Sequence, residues 1–131
     1  MASLNKVFLI GNLTKDLKLH YTQNRMPVAN LKLAVNRRFK NSSGELNDDI
    51  CFVTATAWDK QAEICCKNLM KGSAVFIEGI LESRHWHKDD GPTRSSIDIR
   101  IEKIQLLHND LIKIEKVIEG IISNMPGDLL Q

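Results

Sequence analysis

The sequence is short of aromatic side chains, which make up 5% of its 131 residues: four Phe, two Trp and one Tyr. A core built mainly on rings is excluded, so each ring has to be accounted for individually. Cysteine is scarce as well. Cys51 and the adjacent pair Cys65 and Cys66 form an odd set without a CxxC, which supports neither a disulfide framework nor a zinc site. They read as small buried hydrophobes. There is almost no charge excess, since 18 Lys and Arg face 16 Asp and Glu for a net +2. A strongly electropositive binding mode is excluded, and any basic surface must come from placement. No apolar run approaches the roughly 18 residues needed to span a bilayer. The opening Met-Ala-Ser-Leu-Asn-Lys lacks the basic and apolar regions of an export signal and the Arg-rich character of a transit segment. The expectation is a cytoplasmic chain with no membrane partner. There is no low-complexity stretch and no repeat of the roughly 20 to 50 residues that marks a solenoid. The length suits one compact domain.

What is present is a strand-rich pattern. Lys6 to Leu13 carries Val7, Phe8, Leu9 and Ile10 ahead of Gly11 and Asn12, a short apolar run of strand length. After a polar stretch ending at Pro27, Ala29, Leu31, Leu33 and Val35 alternate with Asn30, Lys32, Ala34 and Asn36, as a half-buried strand does. A loop about ten residues long is expected from Arg37 through Gly44-Glu45, where turn-forming residues cluster. The third strand, Ile50 to Trp58, sorts Cys51, Val53, Ala55 and Ala57 onto one face and Phe52, Thr54, Thr56 and Trp58 onto the other. The small face suits a crowded core. Asp59 offers a helix N-cap, Ala62, Cys65, Cys66 and Leu69 follow at helical spacing, and Gly72 is the expected stop. A fourth strand then runs from Ser73 through Leu81 toward Trp86, with a turn at Asp89-Asp90-Gly91-Pro92. In the fifth strand Ile97, Ile99 and Ile101 are odd but Ile104 and Leu106 even, a parity change that predicts a bulge near Glu102. Three strands, one short helix and two strands is the element order of a mainly β, five-stranded Greek-key barrel of the oligonucleotide-binding (OB) type.

A single-stranded nucleic acid needs ring faces for its bases and cations for its phosphates, and the sequence interleaves the two. Phe39 sits in Arg37-Arg38-Phe39-Lys40, Trp86 sits in Arg84-His85-Trp86-His87-Lys88, and Phe52 and Trp58 lie on the third strand between them. An aromatic strand face also suits a core with its faces reversed. Four stacked bases at about 1 to 3 kcal/mol each would outweigh the phosphate contribution of so weakly charged a chain. No element for reading base identity is evident, which points to sequence-independent binding.

Four segments then carry a resemblance. Asn5-Lys6-Val7-Phe8-Leu9-Ile10-Gly11-Asn12-Leu13, Val28 to Val35, Leu69 to Gly79 and Ser83-Arg84-His85-Trp86, in that order and spacing, resemble the bacterial single-stranded DNA-binding proteins. The resemblance covers about residues 3–107. It implies a homotetramer of barrels that binds and protects single-stranded DNA during replication, recombination and repair in the bacterial nucleoid. It further implies stacking platforms at Phe39, Phe52, Trp58 and Trp86, and basic contacts at Lys6, Lys60, Lys71 and Arg84. Arg37, Arg38, Lys40 and Lys88 join them on local charge alone. No cofactor, metal or catalytic residue is implied.

The chain also departs from that family. Where its members usually continue into a Gly-, Pro- and Gln-rich tail with an acidic tip, residues 109–131 place Ile114, Val117, Ile118, Ile121 and Ile122 at helical spacing, with Asp110 as a cap. This divides the chain into a barrel over 1–108 and an amphipathic, helical extension over 109–131. Recruitment of replication and repair proteins through an acidic tip loses its usual basis. Leu17 stands where the family usually has proline. Two further readings stay open: an OB-fold primosome or RNA-binding module, and a protein-interaction module acting through the C-terminal helix. The acid pairs Asp48-Asp49 and Asp89-Asp90 lie beside loop signals, and His85 and His87 lack a third ligand, so enzyme and metal readings are weak.

Overall fold

A computed structural model describes residues 1–86, 91–107 and 118–123. Its elements are β1 (Val7–Leu13), β2 (Leu19–Tyr21), β3 (Pro27–Lys40), β4 (Leu46–Trp58), α1 (Lys60–Asn68), β5 (Ala74–Trp86) and β6 (Arg94–Leu107). The strands are ordered β1-β5-β6-β4-β3-β2, and a further pairing of β1 with β3 closes five of them into a barrel. The closing contact is short, with Asn12 opposite Ala34 and Leu13 opposite Leu33. The strand β2 pairs with the start of β3, from Leu19 against Ala29 to Tyr21 against Pro27. Nothing in the polar composition of residues 14–27 announces it.

Inside the barrel lie Leu13, Ala29, Leu31, Leu33, Ala55, Ala57, Val75, Ile77, Ile99 and Ile101, joined by Ala62 and Cys65 from α1. The parity expected from the sequence is the parity observed inside the barrel on β3, β4 and β5 and at Ile99 and Ile101; toward the ends of β6 it fails, since Ile97 and Leu106 are exposed and Leu107 is buried instead. Each fully buried Leu or Ile contributes roughly 1.5 to 3 kcal/mol. Alanines on β3 and β4 allow the two strands and α1 to approach closely, as the 0% exposure of Ala29, Ala55, Ala57 and Ala62 shows.

The bulge falls where the change of parity puts it. Glu78 pairs with Lys103 and Gly79 with Ile101, so Glu102 has no partner across the ladder. Its freed carbonyl accepts the Gln61 side-chain N–H at 3.2 Å, which ties β6 to α1. Glycine is required at the bend: a Cβ on Gly79 would lie 2.3 Å from the Arg100 carbonyl oxygen.

Several expectations are corrected. The loop after β3 is not ten residues long, because β3 and β4 pair without interruption out to Lys40 and Leu46. The turn is confined to residues 41–45, where Asn41 Oδ1 accepts the N–H groups of Ser43 and Glu45 and Gly44 supplies a φ of +81°. Cys51 is exposed and Cys66 half-buried, so only Cys65 is a buried hydrophobe. Cys51 has core parity but lies on the part of the β3–β4 ribbon that extends past the barrel. Asp59 does not cap α1 with its side chain; it takes φ 58°, and its N–H donates to the Pro27 carbonyl at 2.8 Å. The helix ends at Asn68 with Leu69 as its C-cap, and Gly72, at φ +92°, serves the turn that follows. Residues 118–123 are helical, with Ile118 and Ile122 exposed. The remainder of the C-terminal extension, including Asp110, lies outside the described residues.

Candidate nucleic-acid interface

Strand registers decide which of the sequence candidates share a surface. Across β3 and β4, Val28 faces Trp58, Asn30 faces Thr56, Lys32 faces Thr54 and Ala34 faces Phe52. The intervening rungs, Ala29–Ala57, Leu31–Ala55 and Leu33–Val53, carry the core. Phe52 and Trp58 therefore stand on one outward face, six positions apart, which is about 20 Å along a strand at ~3.3 Å per residue. Phe52 is 71% exposed, which excludes it from the core. Trp58 is half-buried, and its indole N–H is shielded from solvent with no acceptor among the described residues.

Phe39 lies elsewhere. Its parity matches Arg37 and the core rungs, so it emerges on the opposite face of the ribbon, with the Arg37 guanidinium 4.9 Å from its ring centre. A strand contacting both Phe39 and Phe52 has to pass around the ribbon edge. Trp86 ends β5, with Arg94 opposite it in the ladder. The remaining phenylalanines, Phe8 and Phe76, stack on each other at 6.5 Å on the outer side of β1 and β5.

The cations divide by their partners. Lys6 is held at 2.7 Å by Glu102 and at 3.4 Å by Glu78. The hydrogen bond to Glu102 leads in raising its pKa above the ordinary lysine value. Arg37 meets Asp49 at 3.8 Å on one face of the ribbon, and Arg38 meets Asp48 at 3.1 Å on the other. The adjacent acids Asp48 and Asp49 are thus separated and each is paired with an arginine, which is a poor basis for acid–base chemistry. Arg84 contacts Asp98 at 3.5 Å. Lys40, Lys60 and Lys71 are exposed at the ribbon tip, the start of α1 and the α1–β5 turn. Lys88, like His87, Asp89 and Asp90, lies outside the described residues. Among the described residues no three His, Cys, Asp or Glu side chains are grouped to hold a metal, and no helix is long and apolar enough to cross a membrane.

Two cations on the β4 face escape a search for clustered charge. Lys32 donates to Thr54 Oγ1 at 2.9 Å, and the Arg100 guanidinium lies 5.1 Å from the Trp58 ring centre. Lys32 is a single polar residue in an alternating strand, and Arg100 becomes a neighbour of β4 only through the parallel β4–β6 pairing. Strand alternation places Lys32 outward, but only topology brings Arg100 to it.

The model of the single-strand binding protein family matches residues 4–107. Single-stranded DNA-binding protein 2 of Chlorobaculum tepidum is 40% identical over 125 residues, 95% of this chain and 84% of that protein. The single-stranded DNA-binding protein of Wolinella succinogenes is 40% identical over 103 residues, covering 79% of this chain and 64% of that one. Among solved structures, the wild-type single-stranded DNA binding protein from Thermus aquaticus matches with a TM-score of 0.71 at 36% identity, over 81% of this chain and 51% of that chain. The Plasmodium falciparum SSB complex with ssDNA shares the fold, with a TM-score of 0.73 at 24% identity over 82% of this chain and 98% of that chain. This chain thus spans about half to two thirds of the length of several proteins that it matches.

Proposed function

The chain belongs to the single-strand binding protein family, and from that premise we propose that it binds single-stranded DNA without regard to base sequence. The observation that carries this reading is the outward β4 face, where an exposed Phe52 and the half-buried Trp58 flank a hydroxyl floor of Thr54 and Thr56. A phenylalanine kept in water forgoes the 1.5 to 3 kcal/mol, roughly, that its burial would contribute. Stacking a base recovers about 1 to 3 kcal/mol and accepts any base, because every base has a π-face. Phe39 and Trp86 extend the path to the far side of the ribbon and to the end of β5. Lys6, Arg37, Arg38, Lys40, Lys60, Lys71, Arg84 and Lys88 are the proposed phosphate contacts; of these, Lys6, Arg37, Arg38 and Arg84 must exchange a carboxylate for a phosphate. Protection of single strands in replication, recombination and repair, at the nucleoid, follows from the same reading.

Self-association belongs to the proposal. The strand β1 pairs with β5 along its length but with β3 only at Asn12 and Leu13, so among the described residues Val7 to Ile10 present an open edge. Beside that edge lies the apolar outer patch of Phe8, Ile10 and Phe76. Together they suit assembly with copies of the same chain, and a homotetramer is the expected state.

The test is a titration of the full chain with thymidine oligonucleotides at several salt concentrations, following the fluorescence of Trp58 and Trp86. Strong quenching at a defined stoichiometry, with a modest salt dependence, is expected. Tight binding without quenching would replace the stacking platforms with a phosphate-only contact. Uridine oligonucleotides run in parallel separate a DNA-binding from an RNA-binding role.

A further inference from the structure

On the outward face of β4 the positions between Phe52 and Trp58 are Thr54 and Thr56, and each has a cation beside it. Lys32 of β3 is directly across from Thr54, and Arg100 of β6 is directly across from Thr56. The two come from opposite sides of β4. With neighbouring strands about 4.8 Å apart, they stand roughly 10 Å from each other across the strand direction. A floor of threonine hydroxyls therefore has an aromatic ring at either end and a cation along either side.

The cations differ in how far they are committed. Arg38 and Lys6 hold carboxylates at 3.1 and 2.7 Å. Lys32 has no carboxylate within 4.0 Å among the described residues, and its Nζ donates to the neutral Thr54 hydroxyl at 2.9 Å. Exchanging that bond for a charge-assisted one to a phosphate breaks no ion pair. Arg100 is 3.8 Å from Glu82, a long contact between two side chains that are each 45% exposed. Its guanidinium carbon also lies over the Trp58 ring, so one residue can steady the stacking platform and reach the backbone of a strand stacked on it.

On the reading of β4 as a single-strand platform, we propose that Lys32 and Arg100 are the phosphate ligands of the segment that spans Phe52 and Trp58. A strand laid along β4 has its terminal bases on the two rings and its backbone gripped from both sides. The cations contribute affinity independent of base identity, and Arg100 links phosphate contact to the orientation of Trp58.

The experiment is fluorescence anisotropy of a labelled thymidine oligonucleotide with the full chain, recorded over a range of salt concentrations. Each phosphate neutralised on a single strand adds about 0.7 to the slope of log K against log salt. Lys32→Gln and Arg100→Gln are each expected to flatten the slope by about 0.7, and the double variant by about 1.4. Arg100→Lys retains the charge and is expected to retain the slope, which separates lost phosphate contact from lost packing on Trp58. Lys67→Gln, on the exposed side of α1, is expected to leave the slope unchanged. Slopes equal to wild type in both glutamine variants would overturn the proposal, as would weaker binding at an unaltered slope. Failure of the unmodified chain to bind at any salt concentration would remove the single-strand reading itself.

Discussion

At Phe52 and Trp58 the same strand face carries rings in two different states, and their substitutions should separate accordingly. Phe52 contributes little to the core at 71% exposure, so Phe52→Ala is expected to hold thermal stability within about 0.5 kcal/mol. Its affinity for a thymidine oligonucleotide should fall by about 1 to 3 kcal/mol in the same preparation. Trp58 is half-buried and packed with Arg100, so Trp58→Ala should lower both affinity and melting temperature. Binding must then be measured well below the new midpoint. The cysteines form a second residue-scale contrast. Burial, reinforced by neighbouring Cys66, pushes the Cys65 thiol up to about 11 from 9.0. The folded state favours the neutral thiol, so its contribution to stability is complete below pH 9 and is lost as pH rises toward 11. Denaturant midpoints at pH 8 and pH 10.5 should differ less in Cys65→Ala than in the unmodified chain. Exposed Cys51 should be alkylated first at neutral pH.

Two irregular elements shape the site. The β5–β6 bulge turns Glu102 out of the ladder, and beyond it β6 runs beside β4 with Arg100 opposite Thr56. The glycine at the bend is a steric necessity, since a Cβ on Gly79 would fall 2.3 Å from the Arg100 carbonyl oxygen and 3.0 Å from Ile99 Cγ2. Gly79→Ala is expected to destabilise the chain by about 1 to 3 kcal/mol, as overpacking does, measured by urea denaturation. Because the crowding falls on the Arg100 backbone, the fluorescence of Trp58 should shift in the same variant. The β3–β4 ribbon is the other element. Arg37–Asp49 and Arg38–Asp48 cross it on opposite faces, and with side chains 59–72% exposed they add little to its stability. Removing either pair should cost no more than about 1 kcal/mol.

For the whole molecule, the buried cluster runs from Leu13 to Ile101 and is completed by the pairing of β1 with β3. A chain ending after Leu107 is therefore expected to retain a cooperative melt and oligonucleotide binding, with calorimetry and the thymidine titration as the measurements. Loss of the melt would assign the barrel a structural debt to residues 108–131. Light scattering on the two chains reports separately on assembly. An unchanged subunit number would locate any self-association within residues 1–107, and a reduced one would assign part of it to the extension. With a net charge of +2, long-range attraction is weak, so salt should weaken binding through the phosphates neutralised in direct contact rather than through the field of the whole chain.

Strand alternation is a local property, so the inward set Ala29, Leu31, Leu33, Ala55, Ala57, Val75 and Ile77 could be read directly from the sequence, as could the parity change at Glu102. The same alternation placed Phe52 and Trp58 on the outward face. The extent of the hairpin was not legible, because Arg37 to Lys40 and Leu46 to Asp49 carry no apolar pattern and are strands through backbone pairing and the ion pairs across it. Nor was the exposure of Cys51, whose parity is right but whose part of the strand has left the barrel. Asp59 has the chemistry of a cap, and its backbone is committed instead to Pro27. The sequence by itself determined which side chains of β3 and β4 share a face, with Phe52 and Trp58 on the face opposite the small apolar residues, because that follows from a period of two. Only the tertiary structure decided that Phe39 lies on the other side of the ribbon, that Lys6, Arg37, Arg38 and Arg84 are engaged by acids, and that Arg100 covers Trp58. Register and barrel closure join residues far apart in the chain, and no local pattern encodes which strand lies beside which.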